Sequence, residues 1–495
     1  MPLEVRNEET VRSGNRWRAL VSEGEESLGT ARQIPIRSSS ALSPGRRAVV
    51  FAVVSVALLM STLDQTIVAT ALHALQHGLG ASITWAGWTI TIYSLGLVLT
   101  LSLAGQLTER FGQRRVFLTS VAVFSMASLC CGLAGNIYVL VALRFVQAVG
   151  GAGFTPSATR IVVEHFGEAR DKAVGLFGSF FTTGALIGPL LGGIIVAYWS
   201  WRGVFLVNVP IGAALFVLCW RYVPADRPRA TGRSGRLDLP GVGLLGVGLL
   251  AAMIGLTYLG DTPPGWVWPF VAVLTVATLS LSAFAWHIHR TRNPLIAPRL
   301  IHGRGFGAVN MVNILYGGAG IGLVALIPLY AVTRYDIGAL GSGTLLAAEG
   351  AGAIIMSTVG AFVLRRTGYR LPLYWAAVII AIGMLALAAT PVGLPPYGWV
   401  AAVAGLVGLG LGWSSPASRN AGLQLVPEQA ASLAALRSTG MQVGSIAAIS
   451  VATAVIADSA APGTTQAWIY VCYAAVLIFC GIPATARIPE HRGSW

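Results

Sequence analysis

A chain of 495 residues that is 55% hydrophobic and only 11% charged cannot cover itself with a polar surface, so a soluble globular domain is excluded. The formal net charge of +14 would suit nucleic acid if the basic residues formed one patch. They are instead divided among alternate short loops between apolar stretches, the pattern of a membrane protein whose positive loops stay inside.

Apolar stretches of about 20 residues, enough to cross a hydrocarbon core, recur from Val49 to near Ala486 without the alternation of a membrane barrel. Lipid cannot satisfy backbone N–H and C=O groups, so the chain must do so itself and the expected fold class is an all-α polytopic membrane protein. Residues 1–45 are polar and mixed in charge and are expected to be a disordered cytoplasmic tail. The apolar segment after them is too long for a signal-peptide core and has no small-residue cleavage site, so it reads as a retained first helix.

Spans are expected at 48–72, 84–105, 116–135, 137–159, 172–198 and 203–222, a six-helix bundle within 46–222. An Arg-, Pro- and Gly-rich loop, Arg221 to Asp238, follows. Two further spans, 239–259 and 266–287, lie with their basic connectors in 223–304. A second bundle within 305–487 has spans at 305–332, 341–363, 371–390, 397–416, 431–456 and 466–486, leaving 488–495 as a short tail. The count is about fourteen. One set of loops carries groups such as Arg110, Arg114 and Arg115, or Arg365, Arg366 and Arg370; the other carries only Arg202 and Arg334. Both termini are therefore expected in the cytoplasm, and the protein in the inner (plasma) membrane. The five cysteines, Cys130, Cys131, Cys219, Cys472 and Cys480, fall inside expected helices and show no metal or redox spacing.

The bundles repeat a pattern. After the second span the chain reads Gly105-Gln-Leu-Thr-Glu109-Arg110-Phe-Gly112-Gln-Arg114-Arg115; after the tenth it reads Ala361-Phe-Val-Leu-Arg365-Arg366-Thr-Gly368-Tyr-Arg370. Two related halves around a central site are what transporters use to alternate access. Gly184, Gly188 and Gly192 recur every four residues, with Gly193 beside them and Pro189 among them, which predicts a close helix contact and a kink.

The first loop resembles the signature loop of the major facilitator superfamily, and the match is complete. Leu63-Asp64-Gln65-Thr66 onward resembles the first helix of that family's fourteen-helix drug:proton antiporters. Trp201-Arg202 through Asn208-Val-Pro210-Ile-Gly212 resembles the start of their sixth helix. Arg144-Phe-Val-Gln147 is similar to their fourth-helix motif, and Gly184, Gly188, Pro189, Gly192 and Gly193 to the fifth-helix antiporter motif. The chain departs from the pattern at His73, at Ala148 and at Ala348-Glu349-Gly350, where Leu-Pro-Gly is common. The resemblance implies two six-helix bundles plus an extra pair, a gating role for Gly105, Glu109, Arg110, Gly112, Arg114 and Arg115, and drug efflux against protons.

A charge at the bilayer centre costs about 2.5–3.5 kcal/mol or more, so ionisable residues within spans are candidate functional groups. Asp64, Arg144 and Glu349 stand out, and a cluster of the three around a central cavity is a possible arrangement. Burial disfavours a charged carboxylate and a neighbouring arginine favours it, which makes a proton switch of Asp64 and Glu349, with Arg144 tuning Asp64. Tyr93, Phe180, Phe181 and Tyr316 are candidate cavity residues, and Trp85, Trp88, Trp199, Trp201, Trp266 and Trp268 read as an outer interfacial belt. His73 and His77 read as loop histidines. No nucleophile–base pair, metal-ligand spacing or phosphate loop is found, so an enzyme is not expected and the proton gradient takes the place of a cofactor. The expected partners are a small hydrophobic or amphiphilic substrate, protons and membrane lipids, not nucleic acid. A lipid translocase and a proton-coupled nutrient symporter are the competing readings.

Overall fold

The computed structural model describes residues 43–166, 170–226, 238–261, 267–291, 294, 298, 301, 305–391, 393–423, 430–457 and 459–488. Nearly all of the expected N-terminal tail, the C-terminal tail after 488, most of both basic connectors, Trp266, and the side chains of Glu109 and Arg365 lie outside the described residues.

The described elements are helical. In chain order they are α1 (Pro44–Gly78), α2 (Ile83–Phe111), α3 (Gln113–Leu133), α4 (Ile137–Ala152), α5 (Phe154–His165), α6 (Arg170–Tyr198), the short α7 (Gly203–Leu206) and α8 (Asn208–Tyr222). An extra pair, α9 (Leu239–Asp261) and α10 (Val267–Arg290), comes next. Then come α11 (Phe306–Gly317), α12 (Ile327–Tyr335), α13 (Ala339–Thr367), α14 (Arg370–Ala388), α15 (Pro396–Leu423), α16 (Ala430–Ala457), α17 (Pro462–Val476) and α18 (Ile482–Ala486). Twelve described stretches are long and apolar enough to cross a membrane, and Thr183–Tyr198 and Leu239–Gly255 are shorter apolar helices. Large apolar side chains such as Phe362 (81% exposed) and Phe479 (78%) stand on the outside, a surface only lipid can cover. Trp88 and Trp201 correct the expected aromatic belt: both are buried, within the apolar core of the molecule, whereas Trp199 and Trp268 are exposed.

Helix ends follow local chemistry. At the end remote from the signature-type loops, Asn136 Oδ1 accepts from the N–H groups of Tyr138 (2.7 Å) and Val139 (3.2 Å), and Ser82 Oγ from Trp85 (3.4 Å). Such caps contribute about 1 kcal/mol each. The expected fourth span is divided between α4 and α5 at Gly153, where any side chain would collide with Ser120. The ninth span is interrupted too. Between α11 and α12 run a π-helical turn, Gly318–Leu323, and a tight 3₁₀ turn, Val324–Leu326. There Gly317, Gly318 and Gly322 let the backbone lie against α16, and the helix widens locally to hold that contact.

The halves meet at one end of the molecule. Thr84 Oγ1 donates to the Thr453 carbonyl at 3.4 Å, joining α2 to α16. Gly193 of α6 faces Gly343 and Ala339 of α13, and Gly350 faces Leu186 midway along the same pair. The Thr84 and Gly193 contacts lie toward the ends remote from Gly112 and Gly368. At the other end Gly105 faces open space. The structure is thus closed on the side opposite the two signature-type loops. The extra hairpin α9–α10 lies alongside both halves, since α9 packs on α2 and on α16.

Candidate functional site

Asp64 lies on the stretch of α1 buried against its own bundle, and both of its carboxylate oxygens are engaged. Oδ2 accepts from Arg144 Nη1 at 2.6 Å; Oδ1 accepts from Gln147 Nε2 at 2.8 Å and Asn208 Nδ2 at 2.9 Å. Arg144 and Gln147 are three residues apart and share one face of α4. Arg144 Nη1 also donates to Gln147 Oε1 (2.6 Å), its Nε donates to the Thr89 carbonyl of α2 (3.1 Å), and Gln147 Nε2 donates to Ser128 Oγ of α3 (2.6 Å). The guanidinium lies over the Tyr93 ring at 4.1 Å and near Phe205 at 5.7 Å.

This network is sealed, with Asp64, Gln147 and Ser128 at 0% exposure, Arg144 at 1% and Asn208 at 3%. A buried pair survives because its remaining lone pairs and protons are met, and removing one partner costs about 3–5 kcal/mol. A proton placed on Asp64 would remove the charge that pairs with Arg144 and replace one lone pair by a donor, which weakens the three bonds as they stand. Protonation and side-chain rearrangement are coupled at this site.

Glu349 does not join it. The residue as a whole is half-buried, and its carboxylate makes no hydrogen bond or ion pair among the described residues. It lies on α13 in the second half, where its backbone carbonyl is held against Gly408 of α15. The three-residue cluster around one cavity is therefore resolved into a closed pair and a separate acid. Of the aromatic candidates, Tyr93 serves as the floor of the arginine, while Tyr316 is buried with its hydroxyl on the Leu373 carbonyl (2.7 Å). Phe180 stands edge-on to Phe51 at 6.0 Å, and Phe181 is packed against the first bundle's core. His73 and His77 stand edge to face at 4.4 Å on the last turns of α1, not in a loop. Two clefts, about 480 Å³ around Trp85, Asn136 and Tyr138 and about 310 Å³ around Arg46, Val49 and Tyr222, lie at helix ends and do not reach Asp64.

In the signature loop Gly112 has φ 96°, ψ 151°, and its counterpart Gly368 has φ 70°, ψ −166°. Only glycine tolerates this region, so the repeat read from the sequence is a repeat of backbone shape. Asp226, after α8, uses both carboxylate oxygens on the first turn of α3, accepting from the N–H of Arg114 (2.9 Å) and Arg115 (3.0 Å). A side chain at Gly112 would occupy the same space as that carboxylate. Arg114 Nη2 donates to the Trp220 carbonyl at 2.5 Å and stacks on its ring at 5.3 Å, while Arg110 lies over Phe111 at 5.5 Å. Glu109's side chain is outside the described set.

The glycine motif of α6 does what its spacing predicts. Gly184 faces Thr62, Gly188 faces Thr66, and Gly192 faces Thr70, all on α1, while Gly193 turns to α13 of the other half. The helix continues through Pro189, whose carbonyl meets Gly343. The motif is a two-sided seam.

Sequence reasoning missed Ser128 and Asp226, and quoted Gln147 and Asn208 only within motifs. Buried amides beside a buried charge were the available signal. Asp226 carries none, since it sits in a polar loop far along the chain from the helix it caps.

Residues 54–449 match the sequence profile of the Major Facilitator Superfamily. The puromycin resistance protein pur8 of Streptomyces alboniger is 33% identical over 83% of this chain and 82% of its own length. The methylenomycin A resistance protein of Streptomyces coelicolor is 35% identical over 274 residues, 55% of this chain and about half, 56%, of that protein. A multidrug resistance protein B homolog of Mycobacterium tuberculosis is 31% identical over 78% of this chain and 72% of its own. Among solved structures, a D-xylose-proton symporter superposes with TM-score 0.62 at 14% identity, covering 89% of this chain and 99% of that one. A bacterial homolog of the human lysosomal transporter Spinster gives 0.61 at 16%, over 90% and 98%. At such identities these two share the fold alone.

Proposed function

Because the chain belongs to the major facilitator superfamily, we propose that it is a proton-coupled antiporter that exports hydrophobic or amphiphilic small molecules by alternating access. The observation that carries the reading is the sealed Asp64–Arg144–Gln147–Asn208 network, an ionisable group whose proton changes its hydrogen-bond partners. Relatives named for resistance to puromycin, to methylenomycin A and to multiple drugs support a drug-like substrate. Each charge that moves inward through the membrane potential is worth about 2.3 kcal/mol per 100 mV, which for one proton sustains a roughly fifty-fold gradient.

In this reading the halves are 46–222 and 305–487, with the pair in 223–304 bringing the spans to about fourteen; the two shorter apolar helices support that count. Both termini lie in the cytoplasm of an inner-membrane protein, and the outer side is the one closed here. The Gly105–Arg115 loop gates the inner side, the α6 glycines form the outer seam, and Glu349 senses the second half of the cycle.

The test is drug transport by the purified protein in liposomes. An imposed proton gradient is expected to drive puromycin uphill, with counterflow of protons, and a protonophore is expected to abolish it. Transport indifferent to the gradient would overturn the coupling, and obligatory co-movement of proton and solute would point to a symporter.

A further inference from the structure

The second half holds a polar cluster that the Asp64 network does not use. Asn313 lies seven residues into α11, Arg437 seven residues into α16, and Ser418 five residues before the end of α15. At 1.5 Å per residue all three side chains start at a common depth of about 7–11 Å from the helix ends on the signature-loop side. The three helices pack against one another.

Arg437 Nε donates to Ser418 Oγ at 2.9 Å, and Ser418 Oγ donates to Asn313 Oδ1 at 2.7 Å. Ser418 and Asn313 are 5% and 2% exposed, so this chain of bonds is a fixed wall. Every acceptor in it is used. The donors are not: the two terminal nitrogens of Arg437 and the amide nitrogen of Asn313 meet no described acceptor. Arg419 follows Ser418 and makes no hydrogen bond or ion pair among the described residues. Its guanidinium is near enough to Arg437 to repel it. Among the described residues the ion pairs elsewhere, Asp64–Arg144 and Asp238–His287, do not involve either arginine.

Two like charges near one another, Arg437 half-buried on the serine–asparagine relay and Arg419 exposed next to Ser418 in the chain, with unused donors and no described carboxylate as partner, suit an anion. Positive-inside topology explains arginines at loop ends but not one held by a buried serine–asparagine relay. We propose that Arg437, Arg419, Ser418 and Asn313 form an anion-binding site in the second half, taking a carboxylate, sulfonate or phosphate group. The group enters from the signature-loop side, through exposed Arg419, and comes to rest on the planar edge of Arg437. Its carrier is a small organic anion or an anionic lipid headgroup. The site itself does not depend on proton coupling.

The experiment is equilibrium binding to the full-length chain in phosphatidylcholine nanodiscs without any gradient, so its failure is separate from a failure of proton-coupled export. Benzenesulfonate and inorganic phosphate are titrated in one arm; phosphatidylglycerol is introduced into the disc in the other, with retained lipid counted by native mass spectrometry. Saturable binding in either arm is expected, and the arm that responds identifies the carrier. Arg419→Gln is expected to weaken it at least tenfold, Arg437→Gln to abolish it, and Ser418→Ala to weaken it several-fold by freeing the Arg437 side chain. Because Arg419 is exposed, its replacement tests the site even if Arg437→Gln fails to fold. Absence of saturable binding in both arms, or parental binding by Arg419→Gln together with Ser418→Ala, overturns the proposal.

Discussion

Replacing Asp64 by asparagine imposes permanently the hydrogen-bonding change that a proton would make only in passing. The carboxylate accepts three bonds, at 2.6, 2.8 and 2.9 Å, from three different residues. An asparagine can keep its oxygen toward Gln147 and Asn208, but its NH₂ then faces Arg144 Nη1, donor against donor. Arg144, 1% exposed, is left with a buried charge balanced by no anion among the described residues. The expected loss of folding stability is about 3–5 kcal/mol, the cost of breaking a buried pair by one partner. Adding Arg144→Gln removes the stranded charge, and a neutral pair of similar size is often no less stable than the ion pair, so about 2 kcal/mol or more should return. Thermal unfolding in detergent gives the three stabilities, and liposome transport gives the function. Stability should recover in the double variant, while uphill transport stays lost in both. A double variant no more stable than Asp64→Asn would show that the pair is not the unit described. Uphill transport by Asp64→Asn at the parental level would remove Asp64 from the coupling.

Gly112→Leu should abolish transport while the protein still inserts, because the backbone at φ 96° costs a non-glycine residue about 1–3 kcal/mol and the new side chain displaces Asp226 from α3; expression and transport are measured together, and parental transport refutes the gating role. Glu349→Gln should leave the stability unchanged, since no described partner is lost, but lower the substrate-dependent proton flux or restrict cationic substrates; flux in liposomes with cationic and neutral drugs decides. Gly343→Val should wedge α13 away from Pro189 and Gly193, at an overpacking cost of about 1–3 kcal/mol to the closed seam. A cysteine introduced at Thr84, buried beside Thr453, should then react with an impermeant thiol reagent from outside; protection equal to the parent would contradict the seam.

Most of the architecture was legible because lipid imposes strong rules: span length, loop charge and glycine spacing each have one physical cause. Asp64 and Arg144 could be paired from insertion cost and motif alone. Glu349 could be flagged but not placed, since a sequence gives depth along a helix and little about which way that helix is turned. The same loss of direction hid Trp88 and Trp201, which share the depth of a belt and point inward. Asp226 and the Arg437–Ser418–Asn313 relay were illegible for another reason. Each joins elements more than 100 residues apart, 111 for Arg115 to Asp226 and 105 for Ser418 to Asn313, and neither has a local pattern to betray it. The interruption of the ninth span was visible only as a run of glycines, which fits a π turn and a tight packing seam equally well.

The hairpin α9–α10 makes the two flanks of the molecule unlike. The halves share two seams, one between α2 and α16 and the other between α6 and α13. Because α9 is laid against the first, with Gly246 against Leu99 of α2 and further contact to α16, that seam carries an added helix beside it. The second seam, the one lined by Gly193, Gly343 and Pro189, has no comparable packing from the hairpin among the described residues, so the protein has a front and a back in the plane of the membrane.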